Sequence, residues 1–302
     1  RRLQKANSCL KNDNSTYTKY NKLMEPFAII VILSAAVMHA FWNAVVKIDG
    51  DRLMTMAVVI STTGLLAPIL ILSGPPPAFE SWPYILISVV LNNAYFLFLI
   101  EAYRFGDLSQ VYPIARGTAP ILVTLGASTF ANENLNISEL TGIFIISIGT
   151  ISLVWSGGFR MNSERRSIAF ALLTGLMIAS YTIIDGIGVR LSGSPSGYIG
   201  WLFLLSPIPI AFIAVTRRKS EAIVYLRTNW KLAVLGGCLN MGSYGLSIWA
   251  LSLAAMGHVS AMRETSVIIA ALIGTKILGE SFGKHRILAA VAVTVGIFLI
   301  VT

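Results

Sequence analysis

The sequence predicts an all-α integral membrane protein whose ten transmembrane helices form two inverted five-helix repeats. Three observations carry that prediction. Of 302 residues, 55% are hydrophobic and only 12% are charged, about half the charged share of a soluble domain. The apolar residues fall in runs of about 20, the length a helix needs to cross the hydrocarbon core. A residue pattern in the first half also recurs in the second at a constant offset.

The elements follow in order. Residues 1–25 are a polar, basic tail holding six of the 23 Lys and Arg residues. Met24 directly precedes the first apolar run, so it is the expected native start and the tail an upstream addition. Apolar runs then occupy 26–46, 53–73, 83–103, 108–131 and 137–156, followed by 167–189, 197–215, 232–253, 257–278 and 285–302. The longest connections are 157–166 and 216–231. The first divides the chain into a repeat at 26–157, a linker at 158–166 and a second repeat at 167–302. Pro113 and Pro120 are expected to interrupt the fourth helix and free backbone carbonyls. Glu133 and Glu280 end their runs and read as hairpin or capping residues.

The repeat is explicit in the residues. Arg116-Gly117-Thr118-Ala119-Pro120-Ile121 matches Arg263-Glu264-Thr265-Ser266-Val267-Ile268, and Glu133 with Glu280 and Gly149 with Gly296 keep the same offset. Five spans per copy is an odd number, so the second copy must cross upside down. Inverted repeats of this kind are a common plan of carriers, with the site at the repeat interface.

Polar side chains inside apolar runs are costly in lipid and therefore mark function or helix locking. Their spacing here places them on single helix faces. His39 and Asn43 are four apart with Trp42 between them. Asn92 and Tyr95 are three apart. Tyr112 with Arg116, Tyr181 with Asp185, and Asn240 with Tyr244 are each four apart. Together with Arg263 and Glu264 these are the candidate substrate-binding residues. Arginine stays charged and grips a carboxylate or phosphate with two parallel bonds. Arg116 and Arg263 thus either bind an anionic substrate group or pair with Glu264, Asp185 or Glu101 and lock helices. Asp185 either binds a substrate amine, carries a coupling proton or partners an arginine. His39 is a second proton-shuttle candidate. Trp42, Tyr95 and Tyr244 stack on a substrate or on one another.

Several function classes are excluded or demoted. The net charge of +9 does not indicate nucleic acid, because the basic residues lie in the tail and between apolar runs, as juxtamembrane charges do. The two cysteines, Cys9 and Cys238, have no metal spacing, and no cofactor motif is present, so no metal or cofactor is expected. Neither GxxxxGK[ST], HExxH nor GxSxG occurs.

The order of the motifs resembles the EamA-type transporters of the drug/metabolite transporter superfamily. The resemblance covers 26–302 and rests on ten runs, the five-plus-five repeat, Asn132-Glu133 and Gly279-Glu280 after runs four and nine, and the segments His39-Ala40-Phe41-Trp42-Asn43, Tyr112-Pro113-Ile114-Ala115-Arg116 and Arg263-Glu264-Thr265-Ser266. Asn132 stands where the family usually has glycine, and Val267 is the repeat mate of Pro120. The resemblance implies a secondary carrier, not an enzyme, exporting small polar metabolites from a central cavity by alternating access. The expected cargo is zwitterionic or anionic, an amino acid or organic acid, with a proton as candidate coupling ion. The expected setting is the cell inner (plasma) membrane, multi-pass; a monomer is compatible with the sequence. The competing readings are a membrane enzyme acting on lipid and a non-transporting membrane receptor or scaffold.

Overall fold

Hydrocarbon offers no hydrogen-bond partners, so a spanning backbone must satisfy itself, and this chain does so with helices. The computed structural model describes residues 26–48, 52–105, 108–157, 165–278 and 284–302. They form α1 (Pro26–Ile48), α2 (Arg52–Leu72), α3 (Trp82–Phe105), α4 (Leu108–Phe130), α5 (Ile137–Ser152), α6 (Arg165–Leu191), α7 (Pro195–Leu205), α8 (Pro207–Leu251), α9 (Met256–Met262), α10 (Thr265–Leu278) and α11 (Lys284–Val301). Short 3-10 turns lie at Phe79–Ser81 and Leu153–Gly157. No strand occurs among the described residues. The tail and Glu280 lie outside them.

Seven stretches of the described residues are long and apolar enough to cross a membrane, in α1, α2, α3, α5, α6, α7 running into α8, and α11. The molecule is accordingly a multi-pass membrane protein. Its burial pattern inverts that of a soluble domain. Leu65, Leu72, Phe130 and Phe298 stand exposed on the outside, while Asp185, Arg116 and Glu264 are buried within.

Two expectations need correction. The connection at 216–231 is not a loop, because α8 continues helically from Pro207 to Leu251. This helical run nevertheless folds back on itself. A Cβ on Gly64 would meet Pro207, and one on Gly237 would meet Thr62, so Pro207 and Gly237, 30 residues apart in the run, lie against the same turn of α2. A straight helix would hold Pro207 and Gly237 about 45 Å apart at 1.5 Å per residue. The run at 197–215 passes from α7 into α8 at Ser206 within one apolar stretch, Pro195–Ile213.

The second correction concerns the breaks. Pro113 and Pro120 do not interrupt α4, which is continuous through both. The broken segment is the ninth run, which has no proline at the matching place. Its helix tightens at Arg263-Glu264, where Glu264 N–H bonds to Ala261 O and Ser266 N–H to Arg263 O, three residues back each time. Two carbonyls there take a donor besides the backbone. Met262 O accepts from the Thr265 hydroxyl at 2.7 Å, and Arg263 O accepts from the Arg116 guanidinium at 3.2 Å. Proline removes one donor from a helix; a charged donor from outside competes for a carbonyl more strongly.

Turn and packing details follow the sequence. Asn132 has φ 51°, a left-handed conformation that glycine adopts freely and Asn tolerates better than most residues. That accounts for Asn at a position usually held by glycine. Asn136 then caps α5, accepting from Glu139 N–H while Glu139 accepts from Asn136 N–H. Small residues let α5 and α11 meet closely: a Cβ on Gly142 would lie 2.6 Å from Gly296 O.

Candidate functional site

A cavity of about 50 Å³ opens inside the bundle. His39 and Trp42 come to it from α1, Asn92 and Tyr95 from α3, Tyr181 from α6, Asn240 and Tyr244 from α8, and Arg263 from the break between α9 and α10. Eight of the thirteen candidate residues therefore share one cavity. Ile60, Thr63, Phe96, Phe203 and Ser206 complete its wall. They were missed because Thr, Ser and apolar side chains in an apolar run carry no signal of their own. With about 10–15 Å³ needed per water, the cavity takes a few waters and must widen to hold a metabolite.

The wall is preorganised. The rings of Tyr95, Tyr181 and Tyr244 pack edge to face in series, with centroids 5.9 and 5.8 Å apart. Trp42 Nε1–H donates to His39 Nδ1 at 3.1 Å. His39 therefore carries its proton on Nε2 when neutral, since Nδ1 is an acceptor. Asn92 Nδ2 donates to the Tyr244 hydroxyl oxygen at 2.9 Å. The Tyr244 hydroxyl in turn donates to Asp185 Oδ2 at 2.5 Å, and Tyr198 donates to Oδ1 at 3.0 Å.

Five candidates stand off the cavity. Asp185 lies one hydrogen bond behind Tyr244. Asn43 turns its amide back to His39 O at 2.8 Å. Tyr112 packs on Leu153, Val267 and Ala289. Arg116 and Glu264 form a buried ion pair at 2.9 Å, and Arg116 also reaches Arg263 O and Ser266 Oγ at 3.3 Å. The two arginines are thus unequal. The repeat offset that relates Arg116 to Arg263 also relates Glu264 to Gly117. Arg116 has a carboxylate at the matching place; Arg263 has a glycine. Among the described residues no carboxylate makes an ion pair with Arg263; its guanidinium faces the Tyr181 hydroxyl and the cavity.

A second polar cluster was not read as a unit from the sequence. Glu133 Oε2 accepts from Met256 N–H at 2.8 Å, capping α9 rather than the helix that follows Glu133 itself. Its Oε1 lies 2.7 Å from Arg190, whose guanidinium donates to Leu251 O and Ala254 O, both at 2.9 Å. His258 Nε2 sits 3.4 Å from Glu139 Oε1. These groups clasp the α8–α9 turn to α5 and α6. No local spacing could have revealed them, because the partners are more than 50 residues apart.

A crystal structure of a protein of 14% sequence identity superposes with a TM-score of 0.73, covering 90% of this chain and 95% of that one; it shares the fold. A WAT1-related protein of Arabidopsis thaliana is 23% identical over 115 residues, which is 37% of this chain and 32% of the relative's length. The EamA-like transporter family model matches twice, over residues 26–155 and 165–302. Because the two copies of that model take up nearly the whole chain and meet at the linker, the protein belongs to the EamA-like transporter family.

Proposed function

We propose that the protein is a secondary carrier of small polar metabolites that bear an anionic group, zwitterions and organic acids being the best fit. The observation that carries the reading is Arg263, a buried guanidinium that lines the cavity and has no carboxylate ion-pair partner among the described residues. A buried cation without a counter-ion favours an anionic ligand. Aromatic faces from Trp42, Tyr95, Tyr181 and Tyr244 and the amides of Asn92 and Asn240 supply the rest of the wall. Arg116 and Glu264 take the locking role instead.

In this reading the chain crosses ten times, as two inverted five-helix repeats, in the plasma membrane. The seven apolar stretches are joined by α4, the second limb of α8, and the broken α9–α10 segment. These three carry Arg116, Asn240 with Tyr244, and Arg263 with Glu264, so their own polar residues lower their apolarity. Rocking of one repeat against the other opens the narrow cavity to each side in turn.

Flux into proteoliposomes of purified protein tests the proposal, with labelled amino acids and small organic acids as the screen. Saturable flux that collapses in Arg263→Ala supports it. Turnover of a lipid substrate by the detergent-solubilised protein would instead favour a membrane enzyme, and saturable binding without flux a receptor.

A further inference from the structure

Asp185 is fully buried and, among the described residues, its hydrogen bonds come from neutral donors, the hydroxyls of Ser88, Tyr198 and Tyr244. The titratable and charged groups that face it are Tyr198 from α7, Tyr244 from α8, Arg263 from the α9–α10 break and Tyr181 from its own helix; α3 adds the neutral Ser88 and Asn92. No Lys or Arg among the described residues makes an ion pair with Asp185. An ionised carboxylate kept from water without a paired cation carries a desolvation cost that a bound proton removes. Its route to the cavity is the Tyr244 hydroxyl, since Tyr244 lines the cavity and Asp185 does not.

We propose that Asp185 is a proton-binding site coupled to the cavity through Tyr244, so that a proton and an anionic solute bind together and are carried together. The inference rests on the carrier reading above and names its coupling ion.

The chemistry is a two-step shift of hydrogen bonds. With Asp185 ionised, Tyr244 O–H donates to Oδ2 while its oxygen accepts from Asn92. A hydronium ion in the cavity gives its proton to the Tyr244 oxygen as the tyrosine's own proton passes to Oδ2. The hydronium leaves as water, the tyrosine stays neutral, and Asp185 becomes the acid. The new Asp185 O–H now donates back to Tyr244. That oxygen then accepts from both Asp185 and Asn92, so its remaining O–H turns into the cavity. The cavity has exchanged an acceptor for a donor on the wall it shares with Arg263. An anion gains a bond it lacked before, and by linkage the bound anion raises the affinity for the proton by the same factor.

The experiment has two readouts. Infrared titration of the purified protein follows the carboxylic-acid carbonyl band without any solute. Proteoliposomes containing a pH-sensitive dye report proton entry when glutamate or malate is added outside. The wild type is expected to show an acid band that grows as pH falls and solute-driven acidification of the lumen. Asp185→Asn should lose the band. Tyr244→Phe keeps the carboxyl and serves if Asp185→Asn does not fold; it should displace the band and cut solute-driven proton entry about ten-fold, a coupling of ordinary size. A wild type with no titrating acid band, a band unchanged in Asp185→Asn, or solute flux without proton entry would overturn the inference. A band that titrates and vanishes in Asp185→Asn while neither solute moves would uphold the proton site and count against the carrier reading.

Discussion

Arg116 and Arg263 occupy matching places in the repeat and yet face different environments, because the residue beside one is Glu264 and the residue beside its mate's place is Gly117. Their substitutions should therefore separate. Arg263→Ala is expected to leave the protein folded and to lower transport kcat/KM about ten- to hundred-fold, the worth of one charge-assisted bond. Arg116→Ala should strip a buried carboxylate of its partner and cost about 3–5 kcal/mol, read as a lower Tm and loss of monodisperse protein. Removing both charges, as Arg116→Met with Glu264→Gln, should recover part of that stability, since it is the orphaned charge that costs most. Equal behaviour of the two single variants would argue against the division of roles. At Glu133 the carboxylate both caps α9 and faces Arg190. Glu133→Gln keeps the shape but weakens the charge pairing, and thermal unfolding should show a loss of about 1–3 kcal/mol.

Helices α5 and α11 touch backbone to backbone because Gly142 and Gly296 have no side chains to hold them apart. Gly142→Leu places a side chain where Gly296 O already lies 2.6 Å from an added Cβ. Overpacking of this kind costs about 1–3 kcal/mol, so the variant should unfold at lower temperature in detergent while Gly193→Ala, with open space around its Cβ position, tests the lesser cost of a positive φ alone. The α9–α10 break follows a different logic. It depends on the carbonyls of Met262 and Arg263 finding donors outside the ladder. Thr265→Val removes one such donor and keeps the shape; hydrogen exchange at the break should slow if the helix re-forms its ladder there.

The whole molecule makes a topological prediction. Ten crossings return Thr302 to the side on which α1 begins at Pro26, whereas the seven most apolar stretches alone would leave the two on opposite sides. Single cysteines at Pro26 and Thr302, in a chain with Cys9 and Cys238 replaced by serine, should react with an impermeant maleimide from the same side. The cavity holds only a few waters at about 50 Å³, so a state that holds a larger solute must be wider than this one. Paired labels on α1 and α8 should change separation when a transported solute is added.

Much of this was legible in the chain. Lipid selects apolar runs of a set length, and a duplicated gene leaves a constant offset, so membrane class and repeat boundary could be read directly. Helical periodicity put Asn92 with Tyr95 and Asn240 with Tyr244 on common faces, and these residues do meet at one cavity, whereas of the pairs His39–Asn43 and Tyr181–Asp185 only His39 and Tyr181 line it, and of Tyr112–Arg116 neither does. Pairing across helices could not be read that way. Which arginine meets Glu264, that Glu133 caps α9, that Asp185 hides behind Tyr244, and that the proline-bearing helix stays continuous while its mate breaks all depend on partners dozens of residues away. Local sequence sets what a side chain can offer and which face it stands on; only packing of the helices sets whom it meets, because hydrogen bonds and ion pairs act over a few ångströms in space and know nothing of distance along the chain.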